Sequence, residues 1–142
     1  MPKSRSLAIA AALASITFTF AANAQDGSLG EIEFMNSCAQ CHGAGGKGDG
    51  VMAGFLNTAA PDLTVLQQAN GGVFPFARVY GVIDGTVQVG AHGTTEMPAW
   101  GQRYAAKTPA ALGWEYSQQD QEAFVRGRIL ALTEYISTLQ QQ

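Results

Sequence analysis

Cys38 and Cys41 stand three positions apart, and His42 follows the second at once. They are the only two cysteines among 142 residues. The run Cys38-Ala39-Gln40-Cys41-His42 matches the attachment signal for a covalently bound haem. Two thiols on one helical turn reach the two vinyl groups of one haem and form thioethers. The next residue then carries an imidazole nitrogen to the iron. The expected cofactor is one haem c with its iron, bound through Cys38, Cys41 and His42. A chain that carries it must fold around a large flat group, and few small folds do so.

Three other uses of the motif stay open. Export would permit a disulfide between Cys38 and Cys41. A thioredoxin-like redox pair belongs beside a βαβ pattern, whereas the flanks here read helical. Zinc would take Cys38, Cys41, His42 and His92, yet adjacent Cys41 and His42 are hard to aim at one tetrahedral ion.

An iron that only transfers electrons takes a sixth ligand. Met35 lies on the same helix as the cysteines and cannot reach the opposite haem face, so it reads as core packing. Met52 lies 10 residues past His42, on a loop that still has to clear the haem edge. Met97 lies 55 residues past His42, ample chain to pass around the haem. It sits in Glu96-Met97-Pro98-Ala99-Trp100-Gly101, where Pro98 stiffens the loop. Met97 is therefore the expected second iron ligand. His92, between Gly90 and Gly93, is its rival and would lower the reduction potential.

Residues 1–24 read as a cleaved signal peptide. Lys3 and Arg5 precede an uncharged stretch from Leu7 to Ala22, and Ala22-Asn23-Ala24 fits a small-x-small cleavage site. Ser15, Thr17 and Thr19 dilute that stretch below what a membrane span needs. Residues 25–142 read as a single domain. Removing residues 1–24 takes away two basic residues and no acid. Six basic residues then face 11 acidic ones, a net of −5. The lack of a basic run to neutralise phosphates argues against nucleic-acid binding. The expectation is an acidic, soluble, periplasmic protein without a membrane span.

Helical signals dominate that domain, so the expected class is all-α. Ser28 and Glu31 have capping-box spacing and open a helix to about Cys41. Residues 43–50, GAGGKGDG, are irregular. Gly43, Gly45 and Gly48 satisfy G-x-G-x-x-G, but the dinucleotide reading needs a preceding strand and a following helix. Backbone passing close to a haem edge is the better account of these glycines. Pro61 to Thr64 opens a turn and a short helix to about Ala69. A further helix covers Pro75–Ile83 and ends before Gly85. Residues 85–116 show no clear periodicity. Ser117 and Asp120 cap a last helix, on which Val125, Ile129, Leu132, Ile136 and Leu139 form one stripe flanked by Tyr135.

Together these residues resemble the class I cytochrome c family over nearly all of residues 25–142. Gly30 and Phe34 precede Cys38 at the family's spacing, and Leu132 and Tyr135 fit its C-terminal helix. The resemblance implies three to five helices around one haem, with the terminal helices crossing at Gly30. It implies that the Pro61 carbonyl, within Ala60-Pro61-Asp62-Leu63, accepts a hydrogen bond from His42. It implies that Met97-Pro98-Ala99-Trp100-Gly101 is the axial methionine loop. Arg78, Trp100 and Arg103 are candidates to meet haem propionates, with solvated or packing roles as alternatives. The stretch from Gln102 to Tyr116 is longer than in minimal members. The implied function is an electron carrier, not an enzyme. It would pass single electrons between redox proteins that carry basic docking patches. Alternatives are a haem subunit held in a dehydrogenase or oxidase complex, and a haem enzyme or ligand sensor with an open sixth site.

Overall fold

The computed structural model describes residues 27–87, 100–113 and 115–141. The signal-peptide expectation for 1–24, and the expectations for His92, Met97 and Pro98, lie outside the described residues. Among the described residues every regular element is helical: α1 (Leu29–Ser37), α2 (Ala39–His42), α3 (Leu66–Ala69), α4 (Phe76–Asp84), α5 (Trp100–Leu112) and α6 (Gln118–Thr138). Two of these, α2 and α3, are single turns of 4 residues. Short 3-10 turns cover Ala53–Phe55 and Leu63–Val65. No helix among the described residues is long and apolar enough to cross a membrane.

The expected helix starts and stops hold where local chemistry decides them. The Ser28 side chain accepts a hydrogen bond from Glu31 N–H at 3.2 Å. Ser117 and Asp120 form a full reciprocal capping box at the start of α6. Gly85 closes α4 in the left-handed region, at φ 91°. The helix expected to run on to Cys41 instead breaks at Cys38, whose φ is −112°, and resumes as α2.

The helix α6 is the hub, packing against α1, α4 and α5. Its stripe is buried as expected: Ile129 and Leu132 are fully covered, and Ile136 nearly so. Val125, Tyr135 and Leu139 pack at the margin of the same core. The α1 helix crosses α6 at Gly30. A Cβ there would strike the Ala131 carbonyl and come within 2.8 Å of the Tyr135 Cβ. Beside this crossing, the Phe34 and Tyr135 rings pack with centroids 5.3 Å apart.

Two further expectations fail. Residues 85–116 read as aperiodic, yet α5 occupies 100–112 within them. Its buried stripe is narrow and mixed, made of Trp100, Gly101, Tyr104 and Thr108. Pro109 lies inside the helix and has no N–H for the Ala105 carbonyl. Gln121 of α6 replaces that donor, its Nε2 lying 3.0 Å from the Ala105 oxygen. Met35 is also not in the core, being 46% exposed on an outer α1 face with Leu29 and Ile32. The face turned to α6 carries Gly30, Glu33 and Phe34, so Met35, one residue beyond Phe34, rotates outward.

Glu33 is thus a buried carboxylate, joined to two other helices. Arg128 of α6 forms a salt bridge with it. Tyr104 of α5 donates a hydrogen bond to its Oε2 at 3.0 Å. Burial pushes the Tyr104 phenol up, so the ring oxygen keeps its proton and remains a donor. Removing one partner strands a buried charge, which typically costs more than the intact pair contributes. Arg128→Leu should destabilise the fold by about 2 kcal/mol, below the fully buried case because Arg128 is partly solvated. Arg128→Leu with Glu33→Gln should recover part of that, since glutamine still accepts from Tyr104. Urea unfolding midpoints test this, and a double variant less stable than Arg128→Leu alone would contradict it.

Candidate functional site

The C-terminal end of the α1–α2 pair opens onto a cavity of about 410 Å³. Leu63, Leu66, Val79, Ile83, Trp100 and Ile136 form much of its wall, with Cys38, His42 and Pro61 at one side. Four structural pieces supply that wall: the 61–69 segment, α4, the start of α5 and the end of α6. Val79, Val82 and Ile83 reach it from α4 because they recur at i, i+3 and i+4, one helical face. Asn70 and Arg78 add polar groups. The volume lies in the range of sites that hold organic cofactors.

His42 is buried at 6% exposure. Its Nδ1 lies 3.1 Å from the Pro61 carbonyl oxygen. A carbonyl only accepts, so Nδ1 carries the proton and Nε2 of the neutral ring holds the lone pair. Burial lowers the His42 pKa from its usual 6.5, and the bond to Pro61 opposes this in part. A neutral imidazole, oriented by a backbone carbonyl on its far nitrogen, is the form that ligates metals. The Pro61 contact implied by the family resemblance is therefore present.

Cys38 and Cys41 are free thiols. Burial, followed by repulsion from Cys41, pushes the Cys38 thiol up to about 12. Thiol–disulfide exchange needs thiolate, so this environment opposes a thioredoxin-like role. Cys41 is half-buried on α2 and lies outside the cavity lining. Among the described residues, no three His, Cys, Asp or Glu side chains are grouped to hold a metal ion.

The other sequence candidates separate clearly. Arg78 and Trp100 line the cavity. Arg103 does not; its guanidinium lies over the Trp100 ring, 5.0 Å from the centroid. Met52 is 41% exposed and also outside the lining. Leu66, Val79, Val82 and Ile83 are site residues that the sequence reading does not single out. The apolar spacing within α4 was the available signal for Val79, Val82 and Ile83.

The glycine-rich loop packs on the motif itself. None of residues 43–50 lines the cavity. The loop instead folds back along the motif and satisfies its carbonyls. Gly48 N–H donates to His42 O at 2.8 Å, Gly50 N–H to Cys41 O at 3.2 Å, and Met52 N–H to Gln40 O at 2.8 Å. These are carbonyls that a helix end would otherwise leave unpaired. Gly48 and Gly50 thus make room for the chain's own backbone, at Ala60 and Gln40. At Gly50 a Cβ would strike the Gln40 carbonyl and lie 2.6 Å from the Cys41 carbonyl carbon. At Gly45 a Cβ would meet nothing within 4 Å.

Gly50→Ala should therefore destabilise the protein by about 1–3 kcal/mol, while Gly45→Ala should stay within about 0.5 kcal/mol of the parent. Chemical denaturation of the two variants checks this. Equal effects would mean that the loop does not pack on the motif.

Comparison with protein families, curated proteins and solved structures returned no match to this chain.

Proposed function

We propose that this protein is an exported, periplasmic electron carrier with a class I cytochrome c fold and one covalently bound haem. The observation that carries the reading is His42. It is a buried, neutral imidazole, held through Nδ1 by the Pro61 carbonyl, at the wall of an apolar cavity that also contains Cys38. The residues present fit the group. Cys38 and Cys41 supply two thiols one helical turn apart, and the cavity is large and mostly apolar. Arg78 offers a guanidinium to a carboxylate at the cavity lining. The crossing of α1 and α6 at Gly30 adds support at the level of fold.

In this reading Cys38 and Cys41 would attach the haem, and His42 and Met97 would bind its iron. The bound haem supplies one-electron redox chemistry. Pro61 holds the His42 ring and raises its basicity. Leu66, Val79, Ile83 and Trp100 exclude water, which disfavours the more positive oxidised state and raises the potential. With His42 and Met97 both binding the iron, no position would be left for a substrate, and the protein would carry electrons rather than act as an enzyme. The acidic balance of residues 25–142 suits redox partners with basic docking patches.

A redox titration of the haem-loaded protein tests this reading. Ligation by His42 and Met97 within an apolar wall predicts a positive midpoint potential. A clearly negative midpoint would contradict Met97 ligation and move the second ligand to His92.

A further inference from the structure

Gln140 and Gln141 lie just past α6, far in sequence from the motif, yet both reach the segment that carries Pro61. Gln140 uses its whole side-chain amide. Its Nε2 donates to Leu63 O at 2.7 Å and to Ile136 O at 2.9 Å. Its Oε1 accepts from Gln67 N–H at 2.9 Å. Two donors and one acceptor are thus all engaged, a pattern that neither Glu nor Lys reproduces. Gln141 adds a second tie: its N–H donates to Thr64 O at 2.9 Å and its Nε2 to Thr64 Oγ1 at 2.7 Å. Five hydrogen bonds therefore join these two residues to residues 63–67 and the end of α6.

The joined segment is short and stiff. Pro61 has its φ set by its ring. The Asp62 carboxylate accepts from Thr64 N–H at 2.8 Å and from Thr64 Oγ1 at 2.7 Å. Leu63 N–H donates to Gly46 O at 2.7 Å, which ties the segment to the glycine loop on its other side. Leu63 lies two residues past Pro61, so a shift at Leu63 is passed directly to the Pro61 peptide. The Pro61 carbonyl is the acceptor that orients His42.

We infer that Gln140 and Gln141 are positioning residues for His42. They fix the Pro61 carbonyl from the far end of the chain and so set the direction and basicity of the imidazole. This rests on the reading of His42 as an iron ligand. The amide clamp couples the end of α6 to the ligand ring, although neither glutamine lines the cavity.

The test uses the full chain with its haem attached. Exchange of the His42 Nδ1 proton with solvent is followed by NMR in the reduced state, and the midpoint potential is measured beside it. Gln140→Ala with Gln141→Ala should accelerate that exchange about tenfold, as expected for weakening one net hydrogen bond. It should also move the midpoint upward, since a less basic imidazole stabilises the oxidised iron less. Gln121→Ala removes a comparable amide–carbonyl bond, to Ala105, away from the segment. It should lower thermal stability and leave His42 exchange unchanged. The milder Gln141→Ala alone serves if the double variant does not fold, with a smaller acceleration in the same direction. Unchanged exchange in the glutamine variants, or equal acceleration in Gln121→Ala, would overturn the inference. A parent chain that takes up no haem would refute the electron-carrier reading, while His42 exchange in that chain still decides the clamp.

Discussion

The close approach of α1 to α6 at Gly30 governs most of this structure. With no side chain at that position, the α1 backbone reaches the Ala131 carbonyl. Phe34 then meets Tyr135, and Glu33 comes within salt-bridge reach of Arg128. Because α1 leads directly into Cys38 and His42, the same crossing decides where the motif stands relative to Ile136. Ile136 belongs both to the α6 core stripe and to the cavity wall. Helix packing and site geometry are therefore one constraint, and a side chain at Gly30 would disturb both.

The site lies where five separate pieces of chain meet, the motif among them, and polar contacts hold those pieces in register. Tyr104 and Arg128 tie α5 and α6 to α1 through the Glu33 carboxylate. The glycine loop pairs with the carbonyls of the motif, and residues 61–67 are held between that loop and the end of α6. Such contacts contribute modestly to stability when complete and cost much more when one member is removed. Their main effect here is to leave a cavity of about 410 Å³ standing among closely packed helices. A core built from apolar contacts alone would be freer to collapse into that space.

Much of this was legible in the sequence, and the exceptions have physical causes. The ends of α4 and α6 could be read because Gly85, Ser117 and Asp120 act on residues close by. The α6 stripe could be read because a single long helix repeats its apolar spacing. The α5 helix could not. Pro109 argues against a helix, and the donor that compensates it, Gln121, belongs to another element. The α1 face was misleading because Leu29, Ile32 and Met35 point outward while Glu33 points inward, stabilised by partners on α5 and α6. The motif itself was plain, but the packing of Gly48 and Gly50 on the backbone of Ala60 and Gln40 was not. The clamp formed by Gln140 and Gln141 has no sequence signature, since the residues it holds in the Pro61 segment are 73 to 77 positions away.

The central proposal is that His42 and Met97 both bind the haem iron. Absorption spectra of the haem-loaded protein, oxidised, reduced, and reduced with carbon monoxide, test it most directly. The account predicts six-coordinate low-spin iron with the weak ferric–methionine band and no change on adding carbon monoxide. A high-spin spectrum, or prompt carbon monoxide binding, would mean an open position at the iron and would contradict the account.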